Sequence, residues 1–203
     1  MARVVVLNLR SLAVAAICAA TVCAGAQESP VGLPAEASRT GTVITIDVST
    51  NKAFLFRDGQ LIRSSAAATG SDKVLRKGRR VWWFRTPRGR HQVVRKIVDP
   101  VWNKPDWAFV EEGKAIPPAD SPLRQEKGTM GKYALDLGER VMIHGTNDPK
   151  SIGRSVSHGC IRLPNDMLRL LWKEAGVGTE VYIFESKARE PQVAERGLND
   201  LEM

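Results

Sequence analysis

The chain has 203 residues, 43% of them hydrophobic and 26% charged, with a formal net charge of +8. That apolar share supports a folded domain with a full core and excludes a chain that is disordered throughout. The positive balance by itself raises nucleic acid as a partner, but the N-terminus argues against it.

Residues 1–26 read as a secretory signal peptide. Arg3 and Arg10 give a positive start, Leu12 to Val22 is apolar, and Ala24-Gly25-Ala26 is a small-residue cleavage site. The apolar run is too short to cross a bilayer comfortably, so the mature protein is not expected to span the membrane, although an uncleaved anchor is the alternative. An exported protein, in the periplasm or cell envelope, meets anionic polymers and lipid headgroups and not nucleic acid. The cluster Arg76-Lys77-Gly78-Arg79-Arg80 is therefore read as a solvated basic loop. Residues 27–40, rich in Pro, Ser and small residues, read as a linker.

From Gly41 the pattern turns to β. Ile44, Ile46 and Val48 alternate with Val43, Thr45 and Asp47, which predicts a half-buried strand over 42–48. Lys52 to Arg57 and Gln60 to Thr69 follow as a hairpin across Asp58-Gly59, a dipeptide suited to the positive φ of a tight turn. Further strands are expected at Gln92 to Val98, Tyr133 to Leu137, Arg140 to His144 and Glu180 to Phe184. One helix follows, with Asn165 or Asp166 as its cap, Met167, Leu170 and Leu171 on its apolar face, and Gly176 at its end. The stretch from Asp99 to Gly131, with five prolines and Trp102, Trp107 and Phe109, resists assignment. It is read either as a flap over a substrate or as a packed loop. The expected fold is mainly β: a single sandwich or partly closed barrel-like domain over 41–184, with one main helix after the active-site loop. Residues 185–203 are read as a charged tail.

The chemistry concentrates in HGTNDPKSIGRSVSHGCIR, residues 144–162. Cys18 and Cys23 lie in the signal, so Cys160 is left without a partner in an oxidising compartment. A thiol flanked by His158 and Gly159 reads as a nucleophile that needs a base to become thiolate. His158 lies two residues before it, and His144, sixteen residues upstream, ends a predicted strand. Gly159 permits a sharp turn whose N–H groups, with that of Cys160, could hold an oxyanion. Ser157 is placed to bond a histidine or the loop backbone, and Arg162 to grip a carboxylate on substrate or protein. His144, His158, Cys160 and Asp148 are competent zinc ligands, but no recognised metal-ligand spacing occurs, and no metal or other cofactor is expected.

These residues resemble the signature of the L,D-transpeptidases of bacterial peptidoglycan, the YkuD-type catalytic domains. The matching elements are His144-Gly145-Thr146, then Ser157-His158-Gly159-Cys160-Ile161-Arg162, preceded by Thr86-Pro87-Arg88-Gly89 and by Gly131-Lys132-Tyr133-Ala134-Leu135. The resemblance runs from about Gly41 to Phe184. It implies an acyltransferase in which Cys160 attacks the carbonyl at the L-centre of the third residue of a stem tetrapeptide, with His144 as proton shuttle and His158 in support. In some members a serine follows the first histidine and its main-chain carbonyl orients the ring. Gly145 stands there here, which a carbonyl contact would survive. The implied partners are peptidoglycan stem peptides, with a stem amine or an envelope lipoprotein lysine as acceptor, in cell-wall biogenesis and cell shape, and the implied thiolate is a carbapenem target. Two alternatives stand beside this: a hydrolase on the same scaffold, and a peptidoglycan-binding module without catalysis. Trp102 and Trp107 are the candidate wall for the stem peptide.

Overall fold

A computed structural model describes residues 32–186. The predicted signal peptide and all but the first two residues of the charged tail lie outside these. The elements run β1 (Thr42–Asp47), β2 (Lys52–Arg57), β3 (Gln60–Ala66), β4 (Thr69–Gly70), β5 (Val74–Lys77), β6 (Arg80–Trp83), β7 (Gly89–Gln92), β8 (Arg95–Val98), β9 (Val101–Asn103) and α1 (Asp106–Glu111). They continue with β10 (Gln125–Lys127), β11 (Tyr133–Asp136), β12 (Met142–His144), β13 (Ser155–Ser157), β14 (Ile161–Arg162), α2 (Asn165–Glu174) and β15 (Glu180–Phe184).

The expected mainly-β architecture with one main helix is what the chain adopts. Five strands form one sheet in the order β3-β2-β1-β15-β7, and four form a second in the order β14-β12-β11-β8. Among the described residues neither sheet closes into a barrel. Between them lies one apolar core: Ile44, Ile46 and Leu55 from the first hairpin, Val181 and Ile183 from β15, Leu135, Ile143 and Ile161 from the second sheet, and Met167, Leu168 and Leu171 from α2. Removing this much apolar surface from water is the main force holding the sheets together.

Several expected boundaries shift for local physical reasons. The β1 strand is buried on both faces and not one, because 32–40 is packed and not a free linker. Leu33 and Ala37 cover Val43, Phe54, Phe56 and Tyr182 on the outer side of the first sheet. The strand expected over 92–98 is two strands, and 93–94 carries the chain from one sheet to the other. Arg140 is not in a strand: with Gly138 and Glu139 it forms a turn of left-handed residues (φ 82, 49 and 65°), and β12 begins only at Met142. The helix α2 is preceded by Pro164 and has no side-chain cap, so neither Asn165 nor Asp166 caps it. Its far end is satisfied from another element, as Lys96 Nζ donates to the carbonyls of Trp172 and Ala175 at 2.6 and 2.8 Å. The basic cluster belongs to a hairpin, β5 with β6, and is not an irregular loop.

The 99–131 segment, which carries no regular periodicity in its sequence, is built. The β9 and β10 strands pair antiparallel, and α1 lies between them along the chain. Arg124 braces the whole piece from within. Its guanidinium donates to the carbonyls of Lys104, Pro117 and Pro118 and to the Asp106 carboxylate, all at 2.7–2.9 Å, and lies over the Phe109 ring.

Candidate active site

The β12 and β14 strands run parallel, with Ile143 opposite Ile161 and His144 opposite Arg162. Ile143 and Ile161 are fully buried in the core, so the alternate residues point to the other face of the sheet. That places His144 and Arg162 on one side together. Cys160 stands one step before β14, opposite Met142 by the same register. The register thus sets Cys160 two residues from Arg162 on the strand that pairs with β12, and Arg162 acts electrostatically on both Cys160 and His144.

His144 is buried, 7% exposed, and its Nδ1 lies 2.6 Å from the Gly145 carbonyl oxygen. A carbonyl only accepts, so Nδ1 carries the proton and Nε2 is left with a lone pair. The position after the histidine works through its main chain, and glycine fits it for a steric reason. A Cβ on Gly145 would sit 3.2 Å from the Gly131 Cα and the Met130 carbonyl oxygen and 3.1 Å from Asn165 Oδ1.

Burial lowers the His144 pKa to about 4; the Gly145 carbonyl opposes this and the Arg162 charge adds to it. Burial also raises the Cys160 thiol, with the Met142 backbone and Arg162 pulling the other way. The resting pair is therefore neutral thiol and neutral imidazole, with the thiol aimed at the Arg140 carbonyl at 3.7 Å. The left-handed turn at 138–140 is what brings that carbonyl to the sulfur.

The loop carrying the thiol is tied at every residue. Ser157, buried, bonds the loop backbone and no histidine: its hydroxyl donates to the Cys160 carbonyl at 2.6 Å and accepts from the Gly159 N–H at 3.2 Å. The Gly159 N–H is thus engaged at rest, in contrast to its expected place in an oxyanion pocket. Gly159 itself has φ +127°, and a Cβ there would meet the Arg85 carbonyl oxygen at 3.0 Å, so only glycine suits the turn. Its carbonyl accepts from Thr86 Oγ1 at 2.9 Å, and the same hydroxyl accepts from the Gly70 N–H at 2.8 Å. Thr86 is the buried bolt between the loop and the β4 segment.

His158 points away from this pair and into the 99–131 segment. Its ring stacks on Trp107 (3.9 Å between centroids, 11°) and meets Phe84 edge-on (4.3 Å, 72°). Trp102 stands behind Trp107 at 5.9 Å. Of the two tryptophans, Trp107 is therefore the one that touches the catalytic loop. Among the described residues Arg162 has no acidic partner within ion-pair distance. The described residues bring no three His, Cys, Asp or Glu side chains together as a metal set. Glu111, Thr86 and the Arg140 carbonyl were missed by sequence reasoning. For Thr86 a signal existed, in the Thr-Pro-Arg-Gly segment; the other two depend on contacts between distant segments.

Comparison with known proteins gives the family. The L,D-transpeptidase catalytic domain (YkuD) model matches residues 41–183, and the chain belongs to that family. The probable L,D-transpeptidase ErfK/SrfK of Salmonella typhimurium is 41% identical over 96 residues, covering 46% of this chain and 30% of that protein. The probable L,D-transpeptidase YbiS of Escherichia coli K12 is 36% identical over 101 residues, 48% of this chain and 32% of its own length. The matched stretches thus span about a third of these curated relatives. Among solved structures, the L,D-transpeptidase (residues 123–326) of Xylanimonas cellulosilytica shares the fold, with TM-score 0.55 and 22% identity over 75% of this chain and 63% of that one. L,D-transpeptidase 3 of Mycobacterium tuberculosis, solved with a faropenem-derived adduct, has TM-score 0.51 and 20% identity over 71% and 60% of the two chains.

Proposed function

We propose that this protein is an exported L,D-transpeptidase that acts on peptidoglycan stem tetrapeptides through a thioester on Cys160. What supports the reading is the parallel pairing of β12 with β14, which sets His144 opposite Arg162, two residues beyond Cys160, together with the His144 Nδ1 contact to the Gly145 carbonyl that leaves Nε2 as the free base. Nε2 takes the thiol proton as sulfur attacks the carbonyl carbon at the L-centre of the third stem residue. The Cys160 N–H stabilises the oxyanion, and Arg162 holds a substrate carboxylate. Collapse breaks the amide bond; the proton on His144 leaves with the terminal D-alanine. An acceptor amine then loses its proton to Nε2 and attacks the thioester, and the thiolate departs and is reprotonated. The acceptor is a neighbouring stem or a lysine of an envelope lipoprotein. Trp107, backed by Trp102, forms one wall for the stem peptide. Among the described residues no helix is long and apolar enough to cross a membrane.

Incubation with tetrapeptide muropeptides, followed by mass analysis, tests the reading. Cross-linked dimers with release of D-alanine are expected, and Cys160→Ala should yield none. Trimmed monomers alone would make the protein a hydrolase on the same scaffold. No turnover, together with no mass gain on exposure to a carbapenem, would leave a binding module.

A further inference from the structure

The catalytic loop and the 99–131 flap meet at one polar contact that sequence gives no hint of. His158 Nε2 lies 2.7 Å from Glu111 Oε2, across 47 residues of chain. Glu111 and Trp107 stand four residues apart on α1 and so share one helix face, and that face grips the His158 ring from two directions: the indole by stacking, the carboxylate by a hydrogen bond. Phe84 closes the third side and touches Trp107 as well, at 5.3 Å. The ring is held by its faces and by one nitrogen, and the carboxylate sets which nitrogen carries the proton.

We propose that Glu111 is a positioning residue: by fixing the His158 ring it clasps the flap to the thiol-bearing loop and holds both in the geometry that acylation needs. The inference rests on the acyl-transfer reading of Cys160 and adds to it a residue outside the signature motif. His158 then serves as the keeper of the loop and not as a second base, since its Nε2–H is spent on Glu111. The groups that face the ring electrostatically are Glu111 from α1, Arg162 from β14, and Lys73 just before β5. Burial, foremost, and the two cations favour the neutral ring, and Glu111 alone opposes them.

Two measurements on the full chain test this. The first is the rate of Cys160 acylation by imipenem, followed by intact mass for the wild type, Glu111→Gln and Glu111→Ala. The alanine variant should be slowed about tenfold, the effect of losing one charge-assisted hydrogen bond. Glutamine keeps an acceptor and should remain within about threefold of the wild type. The second is the His158 titration followed by NMR. Its midpoint should fall in both variants, because the one group raising it is gone; an unmoved midpoint would mean that the carboxylate does not bond the ring. Wild-type rates in Glu111→Ala, or an unmoved His158 midpoint, overturn the clasp. If the wild type itself resists imipenem, the nucleophile reading fails, and the NMR titration still decides the clasp.

Discussion

Burial acts on the two reacting groups in opposite directions, raising the Cys160 thiol and lowering the His144 imidazole to about 4. A pair so tuned does not rest as thiolate and imidazolium. In the proposed mechanism the proton would move only as the sulfur attacks, when the growing negative charge is shared with the substrate oxygen. The consequence is a displaced acid limb. Acylation should persist well below pH 6.5 and fall only as His144 gains its proton near 4, which a pH–rate profile with a carbapenem checks; a limb centred at 6.5 would contradict a buried neutral base. His144→Gln removes the acceptor lone pair of Nε2 and should slow acylation at least about a hundredfold without altering the fold.

The catalytic loop owes its shape less to its own residues than to Thr86, which reaches it from 73 residues away along the chain. Replacing Thr86 by valine keeps the volume and removes both bonds, leaving the Gly70 N–H and the Gly159 carbonyl buried and unpaired. The expected loss is roughly 2–4 kcal/mol of stability, read as a lower urea midpoint, together with slowed acylation; an unchanged midpoint would mean that the hydroxyl carries no strain of the loop. The elements legible in the sequence were those that make their own case locally. The β2–β3 hairpin announces itself through Asp58-Gly59, whose φ values of 50 and 76° are those of the expected turn; β15 and the apolar face of α2 likewise follow from spacing. The signature residues His144, Ser157 and Cys160 stand out in the sequence as a set, while the register that pairs His144 with Arg162 depends on the β12–β14 pairing. What escaped depends on partners remote in sequence. The flap is organised by one arginine that bonds carbonyls, a pattern with no periodicity to read. Burial of the outer face of β1 comes from a covering segment whose composition resembles a linker.

The whole molecule inherits a pH dependence from these buried groups. His144 binds its proton in the unfolded chain below about pH 6.5 but in the folded one only near 4. Stability should therefore be full above 6.5, decline by up to about 3 kcal/mol as pH falls toward 4, and level off below. Asp47, the last residue of β1, adds a second step through its bonds to Ser186. Burial raises its carboxyl, but the donors of Ser186, Ser49 and Thr50 outweigh that and hold it at about 2; its contribution is present above pH 3.8 and is lost as pH falls through 2. Urea denaturation at pH 7 and pH 4.5 should show the first decline in the wild type and a flatter response in His144→Gln, and equal slopes would remove His144 as its source. The flap answers to a different rule. Arg124 cross-braces it around the small buried patch of Ala108 and Phe109, and left-handed backbone occurs at its ends, at Asp99, Gly128 and Gly131 (φ 47, 85 and 72°), and in its middle at Gly113 (φ 66°). On the proposed reading, a substrate reaching the thiol meets a wall whose shape is set by that brace and which is joined to the thiol-bearing loop at the His158 ring.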